Sequence, residues 1–320
     1  MRMSIIIPVH NGASTLDRCL RSILGQSFGG YEAVIVDDGS TDESLAIARD
    51  YARRDGRFVV LSTPCGGAGA ARNRGLAAAR GEYVLYMDAD DFWVRDDLLQ
   101  ELDARIRRQP AYVYMYQMEK VTEDGTVLAR YTKPPFDHAD AVVPLGDVYQ
   151  DLVRDGQTLA AAWNKCVRRQ LLLEHGIRFR EDTLGEDIDW VLQLFSHVQT
   201  ICLMNLRAYA YTQHRAPSRS TRSDAPNDLV GIVTDWGMRT AGGIAHAQAV
   251  AGVVAFEYGI CMGNHHLLSP EKQRLMRQNT HLLAHGLDRK TMLIRRFYQL
   301  FGYDLTCAAV RLYLAARRIW

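Results

Sequence analysis

An α/β fold with a mostly parallel central sheet flanked by helices, followed by a helical C-terminal region, is what this sequence predicts. Three observations carry it. From Ser4 to Asp91, short apolar runs of strand length alternate with stretches of helical periodicity. Two of those runs end in clustered acids, Val36-Asp37-Asp38 and Met87-Asp88-Ala89-Asp90-Asp91. Beyond Asp228 the apolar pattern is helical only. Alternation of the β-α-β kind builds parallel strands joined by crossovers. Acids that follow buried strands project from the carboxyl edge of the sheet, where open α/β folds bind ligands.

The elements follow in order. Ser4–Val9 reads as a buried strand, ended by Pro8 and the turn formers Asn11 and Gly12. Leu16, Cys19, Leu20, Ile23 and Leu24 recur at helical spacing. Ala33–Val36 is a second strand, and Ser40 with Glu43 has the form of a capping box before a helix with Leu45, Ala48 and Tyr51 inward. Phe58–Leu61 is a third strand. Gly66-Gly67-Ala68-Gly69 leads into an alanine-rich helix, and Tyr83–Met87 is the fourth strand. A helix over Asp96–Arg108, a strand over Tyr112–Met118 and a hairpin turn at Asp124-Gly125 come next. Pro134, Pro135 and Pro144 bracket a loop. Helices are expected over Thr158–His175 and Asp187–His197, and short strands over Thr200–Leu203 and Tyr209–Thr212. Arg215–Asp228, rich in Ser, Pro, Arg and Asp, reads as a linker. The expected division is a binding and catalytic domain over 1–215 and a helical region over 216–320.

Composition narrows the function. At 320 residues, 48% hydrophobic and 23% charged, the chain is an ordinary soluble globular protein. Its net charge of +1 excludes the basic excess of a general nucleic-acid binder. Six cysteines without C-x-x-C spacing fit reduced thiols of a cytoplasmic protein. The apolar run at Ile5-Ile6-Ile7 is too short for a signal peptide, and no stretch is long and apolar enough to cross a bilayer.

Three carboxylates within four positions at Asp88–Asp91 are costly to bury side by side without a positive partner. A divalent cation with hard oxygen ligands, Mg²⁺ or Mn²⁺, shared with a phosphate, would meet that need. An acidic turn capping the next helix through Asp91 or Asp96 is the plainer alternative. Gly67-Ala68-Gly69-Ala70-Ala71-Arg72 lacks the third glycine of a dinucleotide fingerprint and the Gly-Lys-Ser/Thr of a P-loop.

Four blocks, Pro8-Val9-His10-Asn11, Val36-Asp37-Asp38-Gly39-Ser40-Thr41-Asp42, Ala71-Arg72-Asn73-Arg74-Gly75 and Met87-Asp88-Ala89-Asp90-Asp91, stand in an order and spacing that resembles the family 2 glycosyltransferases. They cover about the first hundred residues. The resemblance continues more weakly through Trp163-Asn164-Lys165 and Gly185-Glu186-Asp187 to about Ser220. It implies a Rossmann-like A-type fold and an inverting, metal-dependent transfer of sugar from a nucleotide donor, of UDP type, to a glycan or lipid-linked acceptor in cell-surface polysaccharide synthesis. Carried over block by block, it puts Pro8, His10, Asn11, Asp38, Arg72 and Asp88 at the nucleotide. It puts Asp90 on the metal and Asp187 as general base. Trp163, Lys165, Glu186, His214 and Arg215 are implied as diphosphate or acceptor contacts.

Other uses remain open for several of these. Asp187 suits a helix cap, with Glu186 and Asp189 as surface companions; Trp163 suits the core. A sugar nucleotidyltransferase would need a cationic glycine-rich loop after the first strand, and His10-Asn11-Gly12-Ala13-Ser14 has no Lys or Arg. A non-catalytic glycan-binding module would not need Asp38, Asp88, Asp90 and Asp187 together. The Gln-x-x-Arg-Trp motif of processive synthases is absent, which favours addition of a single sugar. The tail from Arg289 holds seven Lys/Arg against one acid, so it carries +6 and the rest −5. With Leu293, Phe297, Leu300, Phe301, Val310, Tyr313 and Leu314 at helical spacing, it suits a helix on an anionic membrane or one docked on the protein or a second copy.

Overall fold

The computed structural model describes residues 1–130, 138–157, 160–213 and 225–317. The chain forms two compact units: Met1–Pro144 with Ala161–Asp182 and Val198–Arg215, and Leu145–Ala160 with Thr183–His197 and Ala216–Trp320.

The first unit is built on one sheet. Strands β1 (Met3–Val9), β2 (Tyr31–Asp38), β3 (Phe58–Thr63) and β4 (Tyr83–Tyr86) alternate with helices α1 (Ala13–Leu24), α2 (Ser44–Arg54) and α3 (Gly67–Ala78). All four strands run parallel in the order β3-β2-β1-β4, with Ile5 level with Ala33 and Leu85. Both faces are covered, so the strands are apolar throughout: Ile5, Ile6, Ile7, Ala33, Ile35, Val84 and Leu85 have no exposed surface. The expected face of α1 is found for Leu16, Cys19, Leu20 and Ile23, which are buried, but Leu24 at the end of the helix is exposed. The capping box is not. Glu43 is the N-cap residue of α2 with no cap bond of its own; Ser40 Oγ accepts the Asn11 N–H at 3.0 Å instead, and Asp42 Oδ1 accepts the Ser44 N–H that opens the helix at 3.0 Å.

Past β4 the sheet becomes mixed. Strand β5 (Phe92–Trp93), α4 (Leu98–Arg108), β6 (Val113–Thr122), β7 (Val127–Arg130) and β8 (Val142–Pro144) follow. Leu98, Leu99, Leu102 and Ile106 of α4 are buried, and the Asp124-Gly125 turn joins β6 to antiparallel β7, with Gly125 at φ 88°. Helix α5 (Leu145–Arg154) belongs to the second unit, and β9 (Lys165–Arg168) and α6 (Arg169–Glu174) return to the first. A single helix over Thr158–His175 is therefore not what the chain does. Cys166 and Val167 are fully buried between β4 and β6, antiparallel to both, and this tertiary slot overrides the helical look of the flanking alanines and leucines. Residues 158 and 159 lie outside the described residues.

Helix α7 (Glu186–Phe195) precedes β10 (Thr200–Gln213), one bulged strand where the sequence suggested two short ones. It runs parallel to β6 and antiparallel to β5 and β8. The putting of a linker at Arg215–Asp228 ends early: α8 (Ala225–Ala241) has begun by Ala225, and 214–224, like Pro134 and Pro135, are outside the described residues.

The second unit is helical as expected: α5, α7, α8, α9 (Ala247–Gly263), α10 (Pro270–Gln278) and α11 (Arg289–Arg317), the last kinked at Gly302. Helix α9 is its core. It is apolar on every side except for the buried Glu257, as a surrounded helix is expected to be. A Cβ at Gly263 would come 2.4 Å from Leu314 Cδ1 and 3.0 Å from Val310 Cγ1, so α11 packs closely on this glycine. Residues 145–160 and 183–197 join this unit because α5 and α7 bury Val148, Tyr149, Leu152, Trp190, Leu194 and Phe195, apolar faces that need helical partners.

Candidate functional site

The turns after β1, β2 and β4 meet at the carboxyl edge of the parallel half-sheet. After β1, Asn11 adopts φ 52° and its Oδ1 accepts the Thr41 N–H at 2.8 Å. His10 Nδ1 lies 2.8 Å from the carbonyl oxygen of Asp38. A carbonyl only accepts, so Nδ1 donates to it, and Nε2 accepts from Asn11 Nδ2 at 3.2 Å. After β2, Asp38 is buried, and its carboxylate accepts the N–H groups of Gly66 and Gly67 at 2.8 Å each. These are orphan donors of the first turn of α3, whose dipole also favours the anion. The glycine run therefore serves the fold directly. Gly67 sits at φ 83°, and a Cβ on Gly69 would come 2.3 Å from the carbonyl oxygen of Arg180.

From the buried face of α3, Arg72 donates through Nη2 to Asp88 Oδ1 at 2.8 Å, with its guanidinium over the Phe179 ring at 5.1 Å. Asn73 fixes that neighbour by clasping the Phe179 backbone from both sides.

After β4 the three acids part. Asp88 and Asp90 are half-buried, whereas Asp91 points inward. Tyr209 of β10 donates its hydroxyl to Asp91 Oδ2 at 2.6 Å, and the Thr212 N–H reaches Oδ1 at 2.7 Å. Tyr209 Oη also accepts the Asp88 N–H at 3.3 Å, and the Asp90 carbonyl accepts from Thr212 Oγ1 at 2.8 Å and Arg18 Nη2 at 3.2 Å. Burial, and then the charges of Asp90 and Asp88, push the Asp91 carboxyl well above the usual carboxylate range. Burial first, then Asp91, raises the Tyr209 hydroxyl in the same way. Asp91 thus anchors the turn, and it does not cap α4, whose N-cap residue is Asp97. Tyr209, Thr212 and Arg18 were not foreseen as site residues. Tyr209 stands 118 positions from Asp91, beyond the reach of any local pattern.

Trp163 is nearly buried, stacked on Tyr209 at 4.3 Å and near Tyr211 at 5.5 Å. Lys165 has no exposed surface; its ammonium donates to the Ala161 carbonyl at 2.6 Å and Asn164 Oδ1 at 2.8 Å. In this structure it is a buried group at the start of β9. His214 and Arg215 lie outside the described residues.

In the second unit, Gly185 at φ 87° opens α7, and the Leu184 N–H is held by Asp228 Oδ2 at 3.0 Å. Glu186 and Asp187 are half-buried in the first turn. Asp189 is no surface companion. It is buried, accepting from Trp236 Nε1 of α8 at 2.8 Å and Gln193 Nε2 at 2.6 Å.

Such a fold and site define a class: an open α/β sheet whose parallel half presents carboxylates, backbone donors and an arginine at its carboxyl edge. The chain belongs to glycosyl transferase family 2, whose model matches residues 4–171, and with it to the glycosyltransferases. Among its relatives, a cholesterol galactosyltransferase of Borreliella burgdorferi is 30% identical over 228 residues, 69% of this chain and 63% of that protein. A poly(ribitol-phosphate) beta-glucosyltransferase of Bacillus spizizenii is 39% identical over 104 residues, 31% of this chain and 16% of the other. The chain thus spans only part of the length of these curated relatives. Residues 1–349 of S. aureus TarS, solved in complex with UDP-GlcNAc, share the fold, with a TM-score of 0.70 at 19% identity over 99% of this chain and 92% of that one.

Proposed function

We propose that this chain transfers a sugar, with inversion, from a UDP-sugar to a hydroxyl of a glycan or lipid-linked acceptor in cell-surface polysaccharide synthesis. The observation that carries the reading is the divided fate of the Asp88–Asp91 turn. One acid is turned into the protein as an anchor, and the other two remain half-buried at the ligand edge, with Asp88 paired to Arg72. The names of relatives support a sugar donor and polymer or lipid acceptors, and the UDP-GlcNAc held by the structural neighbour supports the nucleotide.

In this reading Asp38, with Pro8, His10 and Asn11, borders the base, and Asp88 and Arg72 serve the ribose and phosphate end. The carboxylate oxygens of Asp90 and Asp88 are hard donors of the type that fits Mg²⁺ or Mn²⁺, and Asp90 would hold the ion. When bound, such a cation neutralises charge on the diphosphate. The acceptor oxygen forms the new bond to the anomeric carbon as the bond to the diphosphate oxygen breaks. The acceptor proton passes to the Asp187 carboxylate, and the nucleoside diphosphate departs. Glu186 shares that helix turn and is assigned to acceptor contact.

The exposed residues Leu293, Leu300, Phe301, Leu305 and Leu312 of α11 stand with Arg289, Lys290, Arg295 and Arg296, while its inner residues Thr291, Thr306, Cys307 and Val310 are buried within the helical unit. Apolar side chains among cations complement an anionic lipid surface. We therefore place the enzyme at the cytoplasmic membrane face, in contact with it through α11. Among the described residues no helix is long and apolar enough to cross a membrane.

The test is a panel of nucleotide sugars read by release of nucleoside diphosphate. One UDP-sugar should turn over, and EDTA or Asp90→Ala should abolish that turnover. Full activity in EDTA would remove the metal from the reading.

A further inference from the structure

We propose that His10, Asp38 and Cys65 form a binding site for a soft divalent cation of the zinc class, distinct from the hard-ion site assigned to Asp90. A ring nitrogen of His10, a carboxylate oxygen of Asp38 and Cys65 Sγ all lie within 4.8 Å of one another. Zinc bonded at about 2.0–2.3 Å holds tetrahedral ligands about 3.3–3.8 Å apart, so a contraction of about an ångström closes the set. His10 and Cys65 are exposed side chains on turns, able to make that adjustment, and they leave the ion a path from solvent.

Each ligand is prepared by its neighbours. Asp38 is fixed by two backbone N–H groups, with Arg74 Nη1 3.6 Å from Oδ1, and Oδ2 on the Cys65 side keeps a lone pair for a cation. Its carbonyl orients His10 through Nδ1, as a carbonyl behind a metal-binding histidine does, and Nε2 would exchange its 3.2 Å hydrogen bond from Asn11 Nδ2 for the ion. Cys65 Sγ stands 3.8 Å from Asp38 Oδ2. Coordination would replace the S–H bond with an S–Zn bond and release one proton to solvent. Three protein ligands leave a fourth position for water. A thiolate and an imidazole select zinc, whereas carboxylates alone suit Mg²⁺ or Mn²⁺, so donor chemistry sorts the two ions.

A consequence follows that rests on the proposed function. Asp38 cannot hold zinc and a nucleobase together, so the ion would exclude the donor nucleotide.

The full chain is titrated with Zn²⁺ against a chromophoric chelator, with melting temperature as the folding control. One equivalent should be retained, Cys65→Ser and His10→Ala should each weaken it by at least about tenfold, and Asp90→Ala should leave it unchanged. No retained zinc, equal affinity in Cys65→Ser, or loss of the ion in Asp90→Ala would each overturn the site. With zinc bound, the affinity for UDP should fall, and Cys65→Ser should restore it. Stoichiometric zinc with unchanged UDP binding would keep the ion site and remove Asp38 from the nucleotide site.

Discussion

Two acids on the first turns of α7 meet opposite fates. Asp189 is buried and bonded to Trp236 and Gln193, whereas Asp187 is half-buried at the amino end of the helix. Gly185, not Asp187, is the N-cap residue of α7, and no side chain caps it, so Asp187 is either the base or an acid favoured by the helix dipole. Asp187→Asn should change stability by about 1 kcal/mol or less in either case. A lost general base should slow transfer roughly 10²–10⁴-fold with UDP affinity retained; unchanged turnover would leave only the dipole role. Tyr209 supplies a second test at this scale. Tyr209→Phe takes one donor from the buried Asp91 carboxyl and an acceptor from the Asp88 N–H. Stability should drop by about 1–3 kcal/mol, read from the urea midpoint. An unmoved midpoint would show that the hydroxyl does not hold the turn.

Among the elements, α9 carries an acid that its surroundings do not favour. Glu257 is buried in an otherwise apolar helix, one turn before Cys261, and burial raises its carboxyl from the ordinary 4.5 to about 7. The folded state therefore holds this proton more tightly than the unfolded chain. Its contribution to stability is complete below pH 4.5 and is lost as pH rises to about 7. At about 1.4 kcal/mol for each pH unit, the loss is on the order of 3 kcal/mol. Unfolding free energies from urea titrations at pH 4 and pH 8 should differ by that amount more in the parent than in Glu257→Gln. Parallel pH curves for the two would mean that Glu257 is solvated or paired when charged.

The charge of the molecule is unevenly spread: +6 resides from Arg289 onward, set against −5 before it. If α11 meets a membrane, the intact chain should sediment with vesicles containing phosphatidylglycerol and not with phosphatidylcholine alone, and salt should weaken the association. Leu300→Glu with Phe301→Glu should release it while transfer to a soluble acceptor survives. Absence of vesicle binding, with a dimer in the parent that this double variant dissolves, would assign the face to self-association instead.

The order of β1 to β4, the carboxyl edge they build and the helical end of the chain were legible in the sequence. Periodicity reports which side of a local segment is buried, and acids that stop a strand mark its end. What lay beyond was a matter of distant partners. Cys166 and Val167 became a strand because a slot between β4 and β6 received them. Lys165 is buried at the start of the same strand. Asp88, Asp90 and Asp91 are equal in the sequence, and only β10, bringing Tyr209 and Thr212 to the turn, decided which acid became the anchor. The sequence by itself determined the fold class and the family through local patterns and their spacing. The tertiary structure decided the use of each polar side chain, because the cost of burying a charge is set by which donors, from anywhere in the chain, arrive to meet it.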